Sequence, residues 1–194
     1  PQLSEAVGSR NACVMCHKDK DNAWALESIN EWHPGFEQRN QFEVDRALLV
    51  HALRNQDWTK IQDVHTYISD PESDPLFTAT MIRLLTMNND PVEQRILQAL
   101  VTEAEHPLVR ASAAAALDAD AVMANRPALF KALTDEYRLV RIRAVERLAA
   151  LPDEAIPAEH KAAYDEALSE MWAAYNLRLD HWGSHFNAGN IFMR

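Results

Sequence analysis

The chain has 194 residues, 47% of them apolar and 25% charged, so it is long enough to bury a sizeable core and has an ordinary globular composition. A net charge of −10 disfavours nucleic acid or anionic lipid as the main partner, because both require a basic face. Four glycines are too few for a turn-rich β-protein, most of the nine prolines stand where helices should begin, and no apolar run is long enough to span a membrane. The chain opens on proline without a signal-peptide pattern, and "NAGNIFMR" stops inside a helical pattern with no capping glycine. Both ends read as cuts through a longer parent.

The first element is the most informative. "NACVMCHKDKDNAW" holds the only two cysteines, and Cys13-Val14-Met15-Cys16-His17 fits C-x-x-C-H, the attachment signature of a c-type haem. Two thiols separated by two residues reach the two vinyl groups on one porphyrin edge, and the next residue aims its imidazole at the iron as an axial ligand. The same residues admit other readings: three tetrahedral zinc ligands with His33 or His51 as the fourth, a redox-active cysteine pair, or no role. The redox pair lacks its expected strand-helix-strand surroundings. Without haem, residues 1–20 have nothing apolar to anchor them and are expected to be mobile. Trp24 and Trp32 lie eight apart on one predicted helical face, which suits packing against the next helices better than haem contact.

From residue 40 the helical spacing is continuous. "NQFEVDRALLVHALRNQ" (40–56) and "DWTKIQDVHTYISD" (57–70) form the first pair. Three segments then start with a polar residue, proline and an aliphatic, at Pro75, Pro91 and Pro107, each 16 residues after the last. Proline suits the first helical turn, and Asp74 or Asp90 can cap the exposed amides. The spacing predicts consecutive antiparallel helices. "LVRASAAAAL" (108–117) aligns without a gap on "LVRIRAVERL" (139–148) at an offset of 31, with "RPALFKALTD" (126–135) between them. One pair cannot bury its apolar face alone, so neighbours must stack.

An aliphatic pair, arginine and alanine-rich turns over residues 41–151 resemble HEAT repeats. Arg110 and Arg141 match the arginine that opens the second helix of such a repeat and are expected to make structural hydrogen bonds between helices. The earlier copy has Thr78 there. In the tail, "AEHKAAYDEALSEMWAAYNLRLD" (158–180) is a long amphipathic helix. "HWGSHFNAGNIFMR", with Ala188, Gly189 and Phe192, resembles the first helix of a tetratricopeptide repeat. His181 and His185 have the spacing of a metal pair on a helix but no third ligand at a fitting interval. No acid–base pair, phosphate loop or Ser-His-Asp pattern stands out, so nothing here looks catalytic by itself.

"NACVMCHKDKDNAWALESINEW" is similar to the last haem-binding segment of periplasmic multihaem cytochromes c that carry HEAT and tetratricopeptide repeats after the haems. Lys18-Asp19-Lys20, Trp24-Ala25 and Trp32 stand at matching places, and the order of segments matches along nearly the whole chain. The resemblance implies an all-α fold in three parts: a haem-attachment segment (1–40), a HEAT-like helical-repeat solenoid (41–157), and a long helix with the start of a tetratricopeptide-like pair (158–194). It implies haem c held by Cys13, Cys16 and His17, and electron transfer to a redox partner protein or another haem-bearing part of the parent, outside the cytoplasm. Relatives often carry histidine where this chain has Gln41, before Phe42. The sixth iron position therefore falls to His33, His51, His65, Met81, Met87 or the part preceding Pro1. The competing expectation is an interaction scaffold with no working redox centre.

Overall fold

The computed structural model describes residues 1–85, 90–177 and 182–192. Among these the chain is all-helical, with thirteen α-helices, four short 3-10 turns and no strand. Two compact units are formed, Pro1–Val64 and His65–Arg194.

The first unit contains α1 (Gln2–Val7), α2 (Ala12–Cys16), α3 (Asn22–Trp32), α4 (Phe36–Arg39) and α5 (Gln41–Arg54). Gly8 ends α1 in the left-handed region, at φ 68°, where its amide donates to the Ser4 carbonyl. α1 packs on α3 and α5. Ala25 is the buried residue of α3, while Val44, Val50, Ala52 and Leu53 form the buried side of α5. Polar side chains do the rest of the joining. Gln2 Nε2 donates to the Glu37 carbonyl at 3.1 Å, and Asn40 Nδ2 donates to Gln2 Oε1 at 2.8 Å. Residues 1–20 make polar rather than apolar attachments, with Gln2, Ser4 and Asn11 all buried.

The predicted helix at 57–70 begins as a 3-10 turn, Trp58–Lys60, because Asp57 accepts the Thr59 amide and hydroxyl at 3.1 and 2.7 Å. It continues as α6 (Ile61–Ser69), within which the boundary between the units falls.

In the second unit the three prolines open α7 (Pro75–Leu85), α8 (Pro91–Glu103) and α9 (Pro107–Ala116). Each is preceded by a cap: Asp74 and Asp90 accept the Leu76 and Val92 amides at 2.9 and 2.7 Å, and His106 Nδ1 accepts that of Leu108 at 3.2 Å. The chain goes on as α10 (Arg126–Ala132), α11 (Arg138–Leu148), α12 (Lys161–Asn176) and α13 (Trp182–Phe192). α9 packs against α7, α8 and α11; α10 against α8 and α11; α12 against α11 and α13. Leu97, Ala113, Leu129, Val140, Leu148 and Met171 are fully buried between them.

The arginines do what the sequence reading expects. Arg110 donates from Nε and Nη2 to the Asp135 carboxylate at 2.7 and 3.1 Å, and from Nη1 to the Ala104 and Glu105 carbonyls at 2.9 and 2.8 Å. Arg141 repeats this 31 positions on: its Nη1 donates to the Asp135 and Glu136 carbonyls at 2.8 and 3.1 Å, and its other nitrogens bind the Glu170 carboxylate. Thr78 is buried in α7 and offers no guanidinium, so the series has two members. Asn125, which the sequence does not single out, is fully buried and joins the loop before α10 to Gln94, Gln98 and the Asp118 carbonyl.

Candidate functional site

Asn11 builds the cysteine segment. In extended conformation it caps α2, its Oδ1 accepting the Cys13 amide at 3.0 Å, while its Nδ2 donates to Asn22 Oδ1 at 2.9 Å at the start of α3. One buried side chain thus starts the helix and ties it to the next. Sequence reading noted Asn11 only as a neighbour of the motif; its capping position just before a short helix was the available signal.

Cys13 and Cys16 are three apart on this helix, a spacing that puts their sulfurs on one face. Both are free thiols, Cys13 half-buried and Cys16 exposed. His17 leaves the helix at φ −86° and ψ 78°, its amide still donating to the Cys13 carbonyl at 2.9 Å. Its exposed imidazole lies against the Trp24 indole, with ring centroids 4.9 Å apart and planes at 54°. The Lys20 ammonium sits 5.9 Å from the same indole. Trp24 is placed by Asp21, which caps α3 by accepting the Trp24 amide at 2.8 Å.

The other residues named from sequence are spread out. His33 ends α3, nine residues after Trp24, about 13 Å along the helix at ~1.5 Å per residue. His51 is exposed in the last turn of α5. His65 and Met81 are buried in the second unit, at 6% and 0% exposure, where the Met81 thioether fills the core. Met87 and His181 lie outside the described residues, and His185 is exposed on α13. Trp32 is corrected: it is 67% exposed rather than packed, and it stands at the last position of α3.

Among the described residues no three His, Cys, Asp or Glu side chains converge as metal ligands. A c-type haem makes a different demand: two thiols on one face and one imidazole just beyond them. Residues 13–17 meet it.

A buried acid escaped the sequence reading. Glu93, in the first turn of α8, is fully buried with no hydrogen-bond partner, and burial beside Asp90 pushes its carboxyl up to about 8. The His65 imidazole is also buried and unpartnered, and burial holds it below its ordinary value. Among the described residues no helix is long and apolar enough to cross a membrane. Comparison with protein-family models, curated proteins and solved structures gives no match for this chain.

Proposed function

We propose that residues 1–40 are a haem-attachment segment of a multihaem c-type cytochrome and that the chain serves electron transfer. The observation that carries this reading is local: two free thiols three apart on a capped helix, followed at once by a histidine that leaves the helix. Cys13 and Cys16 would hold the group as thioethers and His17 would be its axial ligand. When bound, the haem supplies a one-electron couple. Asn11 keeps the two thiols on a formed turn, and Asn22 keeps that turn on α3. Thioether attachment needs reduced thiols and a ligation apparatus outside the cytoplasm, so the parent belongs in the periplasm or an equivalent compartment. The partner is a redox protein or another haem-bearing part of the parent.

Residues 41–157 are read as a HEAT-like solenoid, and residues 158–194 as a long helix followed by the first helix of a tetratricopeptide-like pair. What supports it is the arginine series, in which Arg110 and Arg141 each bond two carbonyls five and six residues upstream. A stack of this kind presents an extended surface to a protein partner. That role survives if the cysteine segment carries nothing, and it is the alternative reading.

Co-expression with the haem ligation apparatus separates the two. Haem that survives denaturation, with a Soret band lost in the Cys13→Ala/Cys16→Ala variant, is the expected result. Native parent protein from its own cell envelope with no haem at this segment would overturn the electron-carrier reading and leave the scaffold.

A further inference from the structure

The contact between His17 and Trp24 lies outside the buried core. Ala25, not Trp24, is the residue that α3 buries fully, and Trp24 is half-buried. The backbone that carries it is held at two points. The Asp21 carboxylate accepts the Trp24 amide at 2.8 Å, and the Trp24 carbonyl accepts the Ser28 hydroxyl at 2.9 Å. The Asn11–Asn22 hydrogen bond, 2.9 Å, sets α2 against the start of the same helix. His17, by contrast, stands outside the helix with its side chain exposed. An imidazole so placed would exchange among several rotamers unless something held it. The indole 4.9 Å away, tilted by 54°, is the group that does so, in the inclined geometry aromatic pairs favour. Lys20, 5.9 Å from the indole centroid, adds a cation attracted to the same ring.

Resting on the haem reading above, we infer that Trp24 is the positioning residue of this site: its indole orders the His17 imidazole before any haem arrives, and sets the plane in which that ring meets the iron. Ordering the ligand in advance removes a rotamer cost that binding would otherwise carry. The ring plane of an axial histidine governs the ligand field of a ferric haem, so the effect extends beyond attachment.

The test uses the full chain in two forms. In the haem-free chain, NMR should show the His17 ring protons displaced by the indole ring current. The displacement should shrink in Trp24→Phe and vanish in Trp24→Leu. In the haem-loaded chain, Trp24→Leu should broaden the ferric electron-paramagnetic-resonance signals and shift the midpoint potential, and Trp24→Phe should restore both towards the parent. A role confined to packing would move stability and leave these signatures in place. Identical spectra and potentials in the loaded parent and Trp24→Leu overturn the inference, as does a missing ring-current displacement in a chain that does load haem. If the displacement is present but no haem attaches, the haem reading fails first and the inference falls with it.

Discussion

In Pro1–Val64, a small apolar core around Val44, Val50, Leu53 and Val64 is supplemented by amides that join helix to helix: Asn11 to Asn22, Asn40 to Gln2, and Gln2 to the backbone of Glu37. In His65–Arg194 the joining is done by fully buried Leu97, Leu129, Leu148 and Met171 and by arginines that cross from helix to helix. Both units carry large apolar side chains on the surface: Met15, Trp32 and Phe42 at 53%, 67% and 58% exposure in the first, Met123 and Phe186 at 71% and 60% in the second. The first unit buries fewer large apolar side chains and should open more readily than the second.

The comparison breaks most visibly at Arg110. Its side chain and that of Asp135 are each 11% exposed, so Arg110→Met leaves a buried carboxylate without its partner and two carbonyls without a donor. The expected loss is about 3–5 kcal/mol. Arg141→Met should cost less, about 1–3 kcal/mol, because its pair with Glu170 is a fifth exposed and partly screened. Urea denaturation followed by circular dichroism measures both. Equal losses at the two positions would mean that burial does not set their ranking.

Glu93 sharpens the comparison from the other side, as a flaw within the well-packed unit. A carboxyl raised from 4.5 to about 8 keeps its proton in the folded chain while the unfolded chain has already released it. Stability therefore falls as pH rises from 4.5 and levels off above 8. His65 works in the opposite sense. Burial lowers its folded value, so protonation is resisted and stability falls as pH drops below 6.5. Asp90 bears on both groups, raising each of them. Glu93→Met should remove the decline between pH 4.5 and 8 and add about 1–3 kcal/mol above pH 8, since an unpartnered buried carboxyl is replaced by an apolar chain of similar length. Denaturation midpoints across this range would show it. A decline that persists in the variant would assign it to other carboxylates.

What could be read in advance was what depends on neighbours in sequence. Pro75, Pro91 and Pro107 open helices because proline and a preceding cap act within one turn, and the cysteine motif is equally local. Arg110 and Arg141 were legible because an offset of 31 repeats the carbonyls they bind. The carboxylates do not follow that offset. Asp135 serves Arg110, but 31 positions further stands Glu166, and Arg141 binds Glu170, one turn along α12. Trp32 shares a helical face with buried Ala25, seven residues earlier, so periodicity alone does not tell which of the two a neighbouring element covers. Glu93 resembles any acid in the first turn of a helix, where acids are favoured, until the stack closes over it.

The smallest effect belongs to the cysteine segment and tests whether amides really hold it. Asn11→Ala removes the cap of α2 and the link to Asn22 together. A cap of this kind is worth about 1 kcal/mol. In a helix of five residues, too short to persist alone, that suffices to open the turn carrying both thiols. Faster amide hydrogen exchange is expected at residues 13–17, with Leu97 and Leu148 unchanged, and readier thiol modification at half-buried Cys13 than in the parent. Asn11→Asp keeps the acceptor for the Cys13 amide and loses only the donor to Asn22, so it should fall between the two. If exchange in Asn11→Ala matches the parent, the segment is held by something other than its amides, and the contrast with the apolar stack is lost.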